Sequence, residues 1–150
     1  RYTGQLTIQR LDILMDIGDS INPGIDRGQV IGGFVQGMGW VTAEALVYDD
    51  TGKLLSHSPT TYKIPAITDI PREFHCEFFE NGDNVQTVRR SKAVGEPPLM
   101  LGVSVWAAVK DALRRYSPAA AKALNLPATG EEILRCIELA DVPSMKSSLV

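Results

Sequence analysis

The sequence predicts an α+β fold: mixed strands and hairpins, two long buried helices and a short C-terminal helix, together part of a larger domain. Three observations carry that expectation. Strand-like alternation and helical spacing occur in mixed order, with turn signals between strand pairs, and not as a regular β-α repeat. A chain of 150 residues, 44% hydrophobic and 22% charged, fits one globular unit with room for a core. The helices nevertheless carry more apolar surface than these strands can cover, so the core reads as incomplete and in need of partners from outside the chain.

Residues 5–17 alternate as a strand, with Leu6 and Ile8 in one phase and Leu11, Ile13, Met15 and Ile17 in the other. The slip predicts a bulge or bend near Gln9-Arg10. Asn22-Pro23-Gly24 reads as a turn, and Asp26 to about Glu44 as a helix with Val30, Ile31, Phe34, Val35, Met38 and Val41 at helical spacing. That helix holds Gly28, Gly32, Gly33, Gly37 and Gly39. Together they cost about 4–5 kcal/mol relative to alanine. So many glycines persist in a helix only where something approaches the backbone closely. Tight packing against another element is favoured by the spacing; a wall beside a large flat cofactor is the alternative.

A turn at Asp49-Asp50-Thr51-Gly52 predicts a hairpin over 45–55, and the Ser-, Thr- and Pro-rich stretch 56–71 an extended loop that wraps other structure. Phe74–Glu80 reads as a strand hairpinned to 85–88 through Asn81-Gly82-Asp83-Asn84. A second helix, buried on every face in its first half, runs from Pro98 to Tyr116 and stops at Ser117-Pro118. Thr129-x-x-Glu132 is a capping-box start for a short last helix. Residues 1–140 form the structured unit; 141–150 are expected to be a disordered tail.

The net charge of -3 has no basic block, which argues against nucleic acid or a membrane surface as partner. Cys76 and Cys136 lie far apart, so they assemble no zinc or iron–sulfur site; buried thiols of a cytoplasmic protein are favoured over a disulfide between them. The chain opens on Arg1 with no signal-peptide pattern, and reads as a piece of something larger.

One segment stands out for chemistry: Ser91-Lys92-Ala93-Val94-Gly95-Glu96-Pro97-Pro98-Leu99. It fixes a carboxylate between a glycine and two prolines at a helix start, where the helix dipole favours anions. A carboxylate aimed by its backbone is a candidate general base; the alternative is an acid that merely complements the dipole. Gln29, three residues after Asp26, has capping-box spacing, which is favoured over a side chain pointing into a site. Gln36 lies on nearly the same stripe. His57 and His75 lack acid or cysteine neighbours at ligand spacing and read as structural; no metal-ligand set is expected. Ser58, Ser91 and Ser104 lack a nucleophile-elbow context.

Several segments are similar to the molybdenum hydroxylases, in that family's order. They are Asp16-Ile17-Gly18-Asp19-Ser20-Ile21-Asn22-Pro23 with Asp26-x-Gly28-Gln29-Val30, then Phe34-Val35-Gln36-Gly37-Met38-Gly39, Thr61-Tyr62-Lys63-Ile64-Pro65, and Ser91 to Leu99. The run Ala93 to Pro98 resembles the xanthine dehydrogenase branch more than the aldehyde or carbon monoxide branches. The resemblance implies the C-terminal part of a molybdopterin-binding domain over 1–140. It implies that Glu96 is the base that deprotonates a Mo–OH group attacking a purine (hypoxanthine or xanthine), with Mo=S as hydride acceptor. It assigns Gln29, against the capping preference, and Gly95 to the cofactor pocket. It also implies partners: the rest of the molybdenum-binding subunit, and iron–sulfur clusters, FAD and NAD in other domains or subunits of an oligomeric complex. The fragment alone is expected to be inactive.

Overall fold

The computed structural model describes residues 3–141; the expected tail beyond Asp141 lies outside the described residues. Two strands, β1 (Arg10–Asp16) and β2 (Glu73–Phe79), pair in parallel, Ile13 opposite Cys76. Among the described residues five α-helices accompany them: α1 (Pro23–Thr42), α2 (Pro97–Leu101), α3 (Val103–Tyr116), α4 (Pro118–Ala123) and α5 (Gly130–Asp141). The α+β reading holds, but several of its parts change. Only Arg10–Asp16 of the 5–17 stretch is strand, because pairing with β2 begins there. β2 is not one arm of a hairpin: β1 takes its edge, and 85–88 turns into a short 3-10 helix at Val88–Arg90. The 45–55 hairpin shrinks to a single bridge, Tyr48 with Leu54, around the Asp49–Gly52 turn.

Parallel strands require a long crossover, and here α1 lies within it and covers one sheet face. Alternation does the sorting. Leu11, Ile13 and Met15 with Phe74, Cys76 and Phe78 meet Val30, Phe34, Met38 and Val41 of α1 and Val105 of α3. Phe34 and Phe74 meet edge to face, with centroids 5.7 Å apart. The opposite sheet face carries exposed Arg10, Asp12, Glu73, His75 and Glu77. A second core joins Val109 and Leu113 of α3 to Ala120, Ala121, Leu124, Ala128 and Cys136. Trp106 packs against both cores and donates through Nε1 to the Asn125 carbonyl at 3.2 Å.

α1 begins earlier than its spacing suggests. Asn22 is its N-cap, accepting from the Ile25 N–H at 3.3 Å, and Pro23 opens the first turn. The expected single helix 98–116 is interrupted at Gly102, and its first half is not buried all round: Met100 is 66% exposed. α4, unforeseen, starts where Ser117 caps Ala119 N–H at 3.2 Å. The 56–71 loop does wrap α1. Tyr62 Oη donates to Glu44 Oε2 at 2.5 Å, and a Cβ on Gly39 would lie 2.6 Å from Pro65 Cδ.

Candidate active site

Of the five glycines that the sequence places inside α1, Gly33, Gly37 and Gly39 are packed and Gly28 and Gly32 are not. Gly33 and Gly37 face the turn that carries Glu96. A Cβ on Gly33 would sit 3.0 Å from Pro98 Cβ and 3.2 Å from the Gly95 carbonyl oxygen. One on Gly37 would sit 2.0 Å from the Leu99 carbonyl oxygen, and one on Gly102 would sit 2.3 Å from the Gly37 carbonyl carbon. Backbone therefore lies on backbone, and packing, the reading favoured by the spacing, accounts for these positions. Gly28 and Gly32 behave otherwise: among the described residues, nothing lies within 4 Å of a Cβ built on either. Packing among the described residues does not explain them.

Both open glycines belong to one exposed stripe of α1 with Ile25, Gln29, Gln36 and Trp40. Ile25 is 61% and Trp40 54% exposed. Gln29 is not a cap. Asn22 is the cap, and buried Asp26 reaches back to it, its Oδ2 accepting from the Asn22 N–H at 3.3 Å and from Ser20 Oγ at 2.5 Å. Gln29 instead reaches the Glu96 turn, its Oε1 being 3.6 Å from where a Gly95 Cβ would lie. The fold thus brings Gln29 and Gly95 together, with Glu96 next in the chain and exposed at the start of α2.

Lys92, four residues before Glu96, belongs to a polar knot that no local pattern in the sequence singles out. Asp16, at the end of β1, accepts from Lys92 Nζ at 2.5 Å, from Asn81 Nδ2 at 2.7 Å and from the Gly18 N–H at 2.9 Å. Those bonds, the Lys92 one foremost, hold its carboxyl at a pKa of about 2. Asp16 and Lys92 both lie in family-like segments 76 residues apart, so only the shared resemblance of those segments could have paired them. His57 and His75 are both exposed, and the described residues contain no cluster of metal-ligating side chains. A cleft of about 790 Å³ between Leu46 and the 56–64 loop is lined by none of the candidate residues, and Gln29, Gly95 and Glu96 are all exposed.

Residues 1–71 match the molybdopterin cofactor-binding domain family. Xanthine dehydrogenase of Dictyostelium discoideum is 48% identical over 111 residues, 74% of this chain. The chain belongs to the molybdenum hydroxylases. Aldehyde oxidase 1 of Bos taurus is 46% identical over 134 residues, 86% of the chain, so overall identity does not separate the purine from the aldehyde branch. Quinoline 2-oxidoreductase from Pseudomonas putida 86 superimposes with a TM-score of 0.70 over 85% of this chain, at 30% identity. The chain spans only 8% of the Dictyostelium enzyme, 10% of the bovine one and 16% of the bacterial chain. Its molybdenum-hydroxylase kinship makes it a molybdopterin-binding region of an oxidoreductase family. No described helix is long and apolar enough to cross a membrane.

Proposed function

We propose that the chain is the C-terminal part of the molybdopterin-binding domain of a xanthine dehydrogenase-like hydroxylase and supplies its general base, Glu96. The observation that carries this is the pairing of Gln29 with Gly95 beside Glu96, on a stripe where Gly28 and Gly32 leave the α1 backbone bare. The residues fit the cofactor. Two positions without a side chain accommodate a broad flat group, and an amide that donates and accepts at once suits a pterin edge.

When bound, the molybdenum cofactor supplies a Lewis acid that activates an oxygen nucleophile and takes up electrons from the substrate. Glu96 accepts the proton at its carboxylate. Gln29 holds the cofactor by its amide, and Gly95 lets the backbone come close. Iron–sulfur clusters, FAD and NAD sit in other domains or subunits of a cytoplasmic complex. The remainder of the molybdenum-binding subunit covers Ile25, Trp40 and Met100, so the 150-residue chain alone does not turn over xanthine.

The test is Glu96→Gln in the complete enzyme. Turnover of xanthine is expected to fall by about 10²–10⁴-fold or more with molybdenum retained. Turnover left nearly unchanged would instead make this segment a structural or assembly module. The aldehyde oxidase similarity favours a second substrate reading, an aldehyde or another N-heterocycle. A panel of xanthine, hypoxanthine, an aldehyde and quinoline on the complete enzyme separates them.

A further inference from the structure

The turn immediately upstream of Glu96 is held in a conformation that side chains resist. Arg89 and Arg90, two consecutive non-glycine residues, adopt left-handed φ values of 52° and 57°. Such a conformation persists only where its surroundings over-determine it. They do so here. The Asp19 N–H donates to the Arg90 carbonyl at 3.2 Å, and the Lys92 N–H to the Ile17 carbonyl at 2.8 Å. Gly18 and Ser91 form an antiparallel bridge, and the Ser91 carbonyl accepts from Thr87 Oγ1 at 2.7 Å and Asn84 Nδ2 at 3.1 Å. Gly18, at a φ of 63°, has no room for a Cβ, which would lie 2.1 Å from the Arg90 carbonyl oxygen.

The side-chain bond that closes this clamp is Lys92 Nζ to Asp16 Oδ2 at 2.5 Å, both side chains about one-third exposed. Asp16 gathers three donors from three separate stretches: Gly18 after β1, Asn81 after β2, and Lys92. Only Ala93, Val94 and Gly95 separate Lys92 from Glu96, and on the far side Pro98 rests against Gly33. Glu96 is therefore suspended on a few residues between two anchors, one ionic and one a backbone contact on α1. So short a span has little slack, and moving either anchor moves the carboxylate.

We propose that Asp16 and Lys92 are positioning residues for Glu96. Their ion pair fastens the strained 87–92 turn to the end of β1 and so fixes where the Gly95–Glu96 backbone stands beside Gln29. Neither residue needs to touch substrate or cofactor. The assignment rests on the reading of Glu96 as the base.

The test uses the complete enzyme with Asp16→Asn, Lys92→Met and Lys92→Arg, each also combined with Glu96→Gln. Asp16→Asn and Lys92→Met are expected to lower kcat by about 10–100-fold with KM and molybdenum content unchanged, as a shift of about 1 Å in a reacting group would. Lys92→Arg, which keeps the charge, restores most of the rate. In the Glu96→Gln background, Asp16→Asn causes no further loss, because it acts through a group already removed. Normal kcat in Asp16→Asn and Lys92→Met, with Glu96→Gln inactive, would overturn the positioning role alone. Losses that multiply, or a kcat that falls only in step with molybdenum content, would make the pair structural and overturn it too. Full turnover in Glu96→Gln would remove the base and this assignment with it.

Discussion

The half built from β1, α1, β2 and α2 differs in kind from the half built from α3, α4 and α5. Each half ties separate stretches together through one carboxylate. In the helical half Glu132 accepts from Arg135 at 2.5 Å and from the Asn125 N–H at 2.7 Å, while Arg135 also donates to the Ala123 carbonyl at 2.6 Å. That half packs short helices around a small-residue core: alanines 120, 121 and 128 are buried, letting the helices approach closely, although Leu126 and Leu139 stay exposed. In the other half the longest helix leaves two glycines facing open space and Ile25 and Trp40 exposed, and the strained turn ends at an exposed acid. Under the proposed function, the bare stripe of α1 is where the cofactor and the rest of the subunit would sit.

The contrast breaks most severely where α1 and α2 touch backbone to backbone. Gly37→Ala or Gly102→Ala is expected to destabilise the chain by about 1–3 kcal/mol or more, read as a lower thermal midpoint, because a Cβ there overlaps peptide atoms that cannot yield. Glu132→Ala strikes the other half. It leaves the Asn125 N–H without its acceptor and Arg135 with the Ala123 carbonyl as its oxygen acceptor, and costs about 1–3 kcal/mol in urea unfolding, without touching the Gln29–Gly95 geometry.

Acid distinguishes the two carboxylates from ordinary surface acids. Both Asp16 and Glu132 are held at about 2 in the folded chain, Asp16 chiefly by Lys92 and Glu132 chiefly by Arg135. A depressed folded value means the group stabilises the fold above its unfolded pKa of about 4. That contribution is lost as pH falls from about 4 through 2. Urea midpoints measured from pH 5 to 2 should therefore drop, and drop less steeply in Asp16→Asn and in Glu132→Gln. The smallest effect sharpens the comparison most. Gly28→Ala and Gly32→Ala should stabilise the chain by about 0.5–1 kcal/mol each, as alanine does in a helix interior with free space around it. In the complete enzyme the same substitutions should weaken retention of the cofactor.

Much of this was legible in the residues. The period of α1, the alternation in Leu11–Met15 and Phe74–Phe78, and the Thr129 start of α5 follow from local chemistry, and the structure keeps them. The partner of β2 was not legible, because Asn81-Gly82 promises a hairpin and only a distant strand, β1, competes for the same edge. Burial of the first half of 98–116 was misjudged for a related reason: an all-round apolar stretch signals that a partner exists, not that this chain contains it. Gln29 shows the same limit at the site. Its spacing from Asp26 suggests a cap, yet Asp26 reaches back to Asn22 by itself and leaves the amide free to meet Gly95. The Asp16–Lys92 contact links residues 76 apart, beyond any local pattern.

The most direct measurement is an experimental structure of the complete enzyme with its molybdenum cofactor bound. The Glu96 carboxylate is expected within hydrogen-bonding reach of the metal's oxygen ligand, about 2.6–3.2 Å, with Gln29 on the cofactor and the bare backbone at Gly28 and Gly32 covered. A Glu96 side chain turned into bulk solvent, remote from the metal, would contradict its role as the base.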